Sequence, residues 1–260
     1  MHFYKFHGNG NDFILIDNRN DEFNLDTLRI NALCNRYLGV GADGLMLLSA
    51  SEDYDFEMIY YNADGKLGSM CGNGGRCIAA FANMLGVCDN KMTFMASDGL
   101  HDAVIENHTN ASSDWDVSIQ LSDVVDIKSE SDYYYLDTGS PHYIKFVNNV
   151  NKVDVPIEGK EIRDSELFQP DGTNVNFVEL GRDEIFVRTF ERGVEAETLS
   201  CGTGVTASAI AAFLHTGTNY KTIRTKGGDF SVSFDSDDIN ISNIWLRGAA
   251  KLVYEGDINI

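Results

Sequence analysis

Two cysteines occupy matching places in two similar segments. Cys71 opens the run CGNGGRCIAAF, and Cys201 opens CGTGVTASAIAAF. In each case a strand-like run and a turn come before, glycines come next, and an alanine-rich helical pattern follows. A helix amino terminus carries about half a positive charge and N–H groups that the helix itself does not use. That setting lowers a thiol pKa from about 8.5 toward neutrality. It also binds anions such as carboxylates, and glycines let a ligand approach the backbone closely. Set face to face, two such helix starts would hold one carboxylate between two thiols. One thiolate could then take the neighbouring Cα proton while the opposite thiol delivers another. This is racemisation or epimerisation by acid–base catalysis with the same residue type on both faces. Backbone donors aimed at the developing enolate charge would help, since removing one such donor elsewhere costs roughly 2.7–4 kcal/mol. No lysine motif for pyridoxal phosphate is evident, so the expected reaction needs no cofactor and no metal. The residues alone leave other readings open: buried structural thiols, or a disulfide formed on oxidation. Cys77 falls inside the helical run and reads as core; Cys34 and Cys88 read as packing or surface thiols.

The elements that must position these cysteines repeat once along the chain. FYKF leading to the turn at Gly8 is echoed by YYYL leading to the turn at Gly139. GADGLMLL around Gly44 is echoed by GTNVNFVEL around Asn174, and FEMIYYNADG by IFVRTFERGV. MASDGLHDAVI at Gly99 is echoed by RTKGGDFSVSF at Gly228. The echoes keep one order and a spacing of about 130 residues, half the chain, which is the signature of an internal duplication. Strands are predicted over Phe56–Tyr61, Ser118–Leu121, Ile185–Phe190 and Phe230–Phe234 from their Ile, Val, Phe and Tyr content. The helix after Cys71 should run to about Leu85 and stop at Gly86; the one after Cys201 should run to about His215 and stop at Gly217. Further helices are predicted over Asp26–Leu38, closed by Gly39, and over Lys160–Phe168. Both long helices are too apolar for an exposed face, so each half should wrap its helix in its own sheet.

Bulk properties narrow the function classes. The chain has 260 residues, enough for one large domain or two, and its 43% hydrophobic and 23% charged residues are ordinary for a globular protein. A net charge of −20 argues against nucleic acid and against an anionic membrane as partners. The start MHFYKFHGNGNDF does not read as a signal peptide and no apolar run reaches membrane-spanning length, so a cytoplasmic protein is expected. In that setting the sequons at Asn107 and Asn110 read as chance. Five cysteines without a Cys-x-x-Cys pair do not form a disulfide framework or a zinc site.

The segments YYNADGKLGSMCGNGGRC (Tyr60 to Cys77) and ERGVEAETLSCGTGVTAS (Glu191 to Ser208) resemble the two signature segments of diaminopimelate epimerases. HGNGNDF near the amino terminus and GVGADGL (Gly39 to Leu45) resemble the same family, and the likeness extends to the final VYEGDINI. The resemblance implies an α/β (α+β) fold of two pseudo-symmetric domains, each a curved, mainly antiparallel sheet around a central helix, with the active site in the cleft between them. The halves would be residues 1–122 and 123–260, with 252–260 a candidate to complete the first sheet. It implies interconversion of LL- and meso-diaminopimelate, a small-molecule substrate on the route to lysine. By position, Cys71 and Cys201 would be the acid/base pair, and Gly72, Asn73, Gly202 and Thr203 would bind the reacting carboxylate through backbone groups. Asn11, Asn62, Asn174, Glu191 and Arg192 would hold the substrate, Arg192 by bidentate pairing with a carboxylate. His142 and Glu191 would tune the thiols. A homodimer is the candidate assembly. The chain departs from the family pattern in three places: Ser140 stands where asparagine is common, Gly44 replaces a polar residue of some members, and Glu195-Ala196-Glu197 lengthens a loop by one residue.

Rival readings remain. A proline or hydroxyproline racemase would use the same thiol pair without the asparagine set and the ERG segment. A thiol redox protein would form a reversible disulfide and have no need of Asn62 or Arg192. A non-catalytic binding protein would hold such a ligand without exchanging its Cα proton.

Overall fold

A computed structural model of the chain describes residues 1–68, 70–108, 112–237 and 240–259. Asn110 and Thr109 of the two sequons, and the terminal Ile260, lie outside the described residues. The chain divides into two units, Met1–Ile119 with Gly248–Ile260, and Gln120–Arg247.

The first unit contains β1 (His2–Gly8), β2 (Asn11–Asp17), α1 (Thr27–Cys34), β3 (Gly44–Ser49), β4 (Phe56–Asn62), α2 (Gly72–Met84), β5 (Lys91–Ala96), β6 (Gly99–His108) and most of β7 (Asp114–Leu121). Along the sheet β1 and β2 are antiparallel, β2 and β3 parallel, β3 and β4 antiparallel, β4 and β5 parallel, β5 and β6 antiparallel. The second unit contains β8 (Lys128–Ser129), β9 (Tyr134–Asp137), β10 (Pro141–Phe146), α3 (Val155–Arg163), β11 (Asn174–Leu180), β12 (Glu184–Glu191), β13 (Ala196–Thr198), α4 (Gly202–Thr216), β14 (Thr222–Thr225), β15 (Gly228–Ser236) and the start of β16 (Ile241–Asp257). From β9 through β10, β11, β12 and β14 to β15 the pairings again alternate: antiparallel, parallel, antiparallel, parallel, antiparallel. The duplication read from the sequence is thus a duplication of strand pairing. The parallel pairs begin with Phe13 opposite Gly44 and with His142 opposite Asn174. The matched turn glycines Gly99 and Gly228 both take φ +130°, a conformation that a side chain would strain.

Each sheet encloses its apolar helix. Helix α2 packs against β1, β2, β3 and β6, so both ends of that strand order reach the same helix. Every residue of α2 from Gly72 to Ala82 is buried. Helix α4 packs against β9 to β12 and β15, and is buried over Gly204–Ala212. Burying side chains such as Phe81 and Ile210 contributes roughly 1.5–3 kcal/mol each. Both helices stop at the predicted glycines: Gly86 at φ +67° and Gly217 at φ +71°, the latter returning its N–H to Phe213 O at 2.7 Å. In the first unit the returning chain pairs with β1, from His7 opposite Lys251 to His2 opposite Asp257. Among the described residues, no helix is long and apolar enough to cross a membrane.

Two helix predictions need correction. Helix α1 ends at Cys34, not Leu38, because the Asn35 side chain accepts from the N–H groups of Tyr37 and Leu38, both at 2.9 Å, and turns the chain. Helix α3 covers Val155–Arg163 rather than Lys160–Phe168. Asp154 caps it by accepting from Ile157 N at 3.3 Å, and Pro156 sits in the first turn, where its missing N–H costs nothing.

Helix α3 lies so close to β12 that a Cβ on Gly159 would stand 2.4 Å from Phe190 Cβ. Gly159→Ala is expected to cost about 1–3 kcal/mol by overpacking. A denaturant midpoint equal to that of the wild type would contradict this close approach.

Candidate active site

Cys71 is the N-cap of α2, with extended backbone (φ −122°, ψ 127°), and Cys201 is the N-cap of α4 (φ −129°, ψ 114°). Neither side chain caps its own helix. The first helical bonds run from Gly75 N to Cys71 O and from Val205 N to Cys201 O, at 2.7 and 2.8 Å. The N–H groups of the preceding first turn therefore lie outside the helical ladder, as an anion site requires. All five cysteines are unbridged thiols.

In the first unit, Cys71 Sγ lies 3.6 Å from Asn11 Oδ1. Asn73 Nδ2 donates to the same oxygen at 3.4 Å, and Asn11 Nδ2 donates to Asp43 Oδ2 at 2.6 Å. Behind them sits Arg76, fully buried in the second turn of α2. Its guanidinium donates to Gly72 O at 3.1 Å, Asn9 Oδ1 at 2.8 Å and Asn73 Oδ1 at 2.9 Å. Burial pulls its pKa down to about 10, and it stays a cation at neutral pH. Asp43 is held in turn by Arg36 at 2.6 Å, and Arg36 also binds Asp12 at 2.7 Å. Burial would raise the Asp12 carboxyl, but hydrogen bonds and charge from Arg36 and Lys5 outweigh it and hold the group down at about 2.

In the second unit, Cys201 Sγ lies 3.4 Å from Thr203 Oγ1, which lies 2.9 Å from His142 Nε2. His142 is fully buried, and its Nδ1 meets Asn176 Nδ2 at 3.0 Å. Burial, and then the charge of Arg192, push the imidazole pKa down to about 3, so it is neutral at physiological pH. Gly204 makes room for this arrangement: a Cβ there would stand 2.5 Å from Asn176 Oδ1 and 3.2 Å from His142 Cε1.

The other residues singled out in the sequence lie at or just beyond strand ends. Asn174 opens β11; its amide donates to Ser140 Oγ at 2.8 Å and Pro141 O at 3.0 Å, and its oxygen accepts from Arg192 N at 2.9 Å. Ser140 thus supports Asn174 directly. Glu191 ends β12 opposite Ala196, and Arg192 follows it, half-buried. The Glu195–Glu197 loop is anchored. Glu195 takes a left-handed φ of +58°, and the Glu197 carboxylate meets Arg188 at 2.6 Å and Lys226 at 2.9 Å. Asn62 ends β4 exposed, opposite Gly44. A side chain at position 44 has no room, because a Cβ would stand 2.4 Å from the Tyr60 ring, which also covers Gly68. Sequence reasoning missed Arg76, Asn9, Asp43 and Asn176. Arg76 did leave a signal, a charge within an apolar helical run, which burial must pair. Asn176 left none beyond being one of the two asparagines of NVNF.

The family profile described as diaminopimelate epimerase matches residues 3–118 and 134–253. The chain belongs to the diaminopimelate epimerase family. It is 46% identical to the diaminopimelate epimerase of Flavobacterium psychrophilum, over 99% of this chain and 100% of that one. Among solved structures, a PhzF-family phenazine biosynthesis protein from Bacillus anthracis matches with a TM-score of 0.75 at 15% identity, covering 100% of this chain and 99% of that one. A probable proline racemase from Agrobacterium radiobacter matches with a TM-score of 0.67 at 12% identity, covering 100% of this chain and 93% of that one. At such low identity these two share the fold alone. As a member of an epimerase family, this chain is an isomerase that acts on a small molecule.

The buried imidazole yields a direct check in this epimerase. His142 should not titrate between pH 5 and 8, whereas an exposed histidine changes charge near pH 6.5. Histidine C–H resonances followed by NMR test this; a His142 signal that moves with a midpoint near 6.5 would contradict the buried, neutral ring.

Proposed function

We propose that this chain interconverts LL- and meso-diaminopimelate in lysine biosynthesis, without a cofactor, with Cys71 and Cys201 as the acid/base pair. The observation that carries this reading is the pair of equivalent thiols, each the N-cap of a buried helix in a duplicated unit, in a chain of this family. In the forward step one thiolate takes the Cα proton and becomes a thiol. The electron pair left on Cα spreads into the neighbouring carboxylate. The opposite thiol then donates its proton to the other face and becomes the thiolate. One proton enters for each that leaves, and the reverse reaction exchanges the roles.

The carboxylate is read as sitting on the first-turn N–H groups of Gly72, Asn73, Gly202 and Thr203, where donors meet the growing negative charge. Asn11, Asn62, Asn174, Glu191 and Arg192 are read as holding the ammonium and carboxylate groups. Asn174 and Arg192 support this role by being tied to each other in the second unit. His142 contributes as a neutral ring and not as a cation. The substrate carries two positive and two negative charges, so a protein of net charge −20 need not attract it over distance. We place the enzyme in the cytoplasm.

The test is Cα–H exchange in D₂O with reduced protein, chelator and no added cofactor. LL-Diaminopimelate should gain one deuterium at Cα as meso product appears, and Cys71→Ala and Cys201→Ala should each lower the rate about 100-fold or more. Exchange confined to proline or hydroxyproline would replace the substrate. Near-normal turnover in either alanine variant would defeat the two-thiol assignment.

A further inference from the structure

The Asn11 amide can show a ligand either a donor or an acceptor, and its neighbours settle which. Its Nδ2 donates to Asp43 Oδ2 at 2.6 Å. A carboxylate can only accept, so the amide is held with its nitrogen toward Asp43 and its oxygen turned the other way. That oxygen lies 3.6 Å from Cys71 Sγ and 3.4 Å from Asn73 Nδ2, at the start of α2. The first unit thus sets two kinds of group side by side next to Cys71. One is the set of backbone N–H donors on the first turn of α2; the other is the acceptor oxygen of Asn11.

Asp43 is itself pinned by charge. Its Oδ1 accepts from Arg36 Nη2 at 2.6 Å, and its Oδ2 also accepts from Asp12 N at 3.3 Å. Its own N–H donates to Asp12 O at 2.9 Å. Arg36 grips Asp12 with two nitrogens, at 2.7 and 3.0 Å, and the buried Lys5 meets Asp12 Oδ2 at 2.6 Å. Two cations and two anions therefore balance in one network. Gly41 makes room for it, since a Cβ there would stand 2.8 Å from Arg36 Cα. With Arg36 on one oxygen and Asn11 on the other, the Asp43 carboxylate carries the polarity of the guanidinium through to the far side of the Asn11 amide.

We propose that Asp43, fixed by Arg36, is a positioning residue: it orients the Asn11 amide so that Asn11 Oδ1 receives the ammonium group on the reacting Cα. The carboxylate on the same carbon goes to the N–H groups of α2. The inference rests on the epimerase reading above and deepens it. It assigns Asn11 one group of the substrate, and it names the residue that makes the assignment. Two anchored substituents on one carbon fix the direction of its Cα–H bond, which is what a thiol beside Asn11 needs. An Asn11 amide turned the other way would present N–H to the ammonium and repel it.

The test exchanges the two side chains. In Asp43→Asn the new amide gives its oxygen to Arg36 and its nitrogen to Asn11, which must then turn its own nitrogen toward the substrate. KM for diaminopimelate should rise about tenfold or more, as loss of a hydrogen bond to a charged group implies. The value of kcat should change far less, because an ammonium held equally in ground and transition states acts on binding. Asn11→Asp added to Asp43→Asn restores an acceptor toward the ammonium and should lower KM again. The same substitution in the otherwise wild-type enzyme sets two carboxylates against each other and should raise KM. This change of sign is the signature of a direct pair, which a packing effect would not produce. Asp43→Asn with wild-type KM, a loss confined to kcat, or an Asn11→Asp effect of the same sign in both backgrounds would overturn the proposal. A second measurement needs neither substrate nor a well-folded variant of position 43. In NMR spectra of the ligand-free wild-type protein, an Asn11 Nδ2 proton should exchange with water more slowly than those of the exposed Asn62. Equally fast exchange would overturn the orientation. If the wild type turns over no diaminopimelate while this protection is present, the epimerase reading falls and the orientation of Asn11 by Asp43 stands.

Discussion

The chemistry at each thiol depends on a helix amino terminus enclosed in protein. In water the partial charge at such a terminus is screened and worth a few tenths of a kcal/mol to about 1 kcal/mol. Wrapped by β1, β2, β3 and β6, the start of α2 meets few water dipoles, and the start of α4 is enclosed in the same way by its own strands. The alternation of parallel and antiparallel pairs serves this end. It lets a short sheet curl around one apolar helix, so the residues at the helix start are held from several directions at once. Helix apolarity, sheet curvature and anion affinity are therefore one constraint. A helix polar enough to lie on a surface would lose its wrapping, and with it the strength of its N–H donors.

Duplication supplied two copies of this device, and the polar residues around them then diverged. In the first unit the space beneath the thiol holds a buried guanidinium, Arg76, bonded to a backbone carbonyl and two asparagines. At the matching place in the second unit Thr206 bonds to Gly202 O at 3.0 Å, an ordinary hydroxyl contact within the helix. A buried cation costs a large desolvation energy unless it is well paired. Its presence in one half and not in the other shows that the halves are not held to a common chemistry. The same holds at the strand ends, where Asn11 faces one sulfur and a Thr203–His142 pair faces the other.

Three positions singled out in the sequence, Ser140, Gly44 and the Glu195–Glu197 loop, are each held by near neighbours. Ser140 accepts from Asn174, and the Tyr60 ring fills the space that a side chain at position 44 would need. The loop after Arg192 is pinned by Glu197 between Arg188 and Lys226. Asn174, Glu191 and Asn62 each sit in a paired strand, opposite His142, Ala196 and Gly44.

Much of this was legible in the sequence because it is written in local pattern. The duplication, both long helices, their glycine stops and the thiols at their starts follow from periodicity and from glycine chemistry within a few residues of each position. Helix α3 starts earlier than predicted because Asp154 caps it and Pro156 occupies its first turn. The hydrogen-bond polarity at each sulfur was not legible at all. Whether Asn11 shows Cys71 its oxygen or its nitrogen is decided by Asp43 and Arg76, and the proton on His142 is decided by Asn176 and Tyr143. These partners are brought together by strand register and by the seating of each helix against its sheet. An amide or an imidazole can act as either donor or acceptor, so the residue type alone does not carry the answer. Only the tertiary structure, by fixing which neighbour can donate and which can accept, decides it.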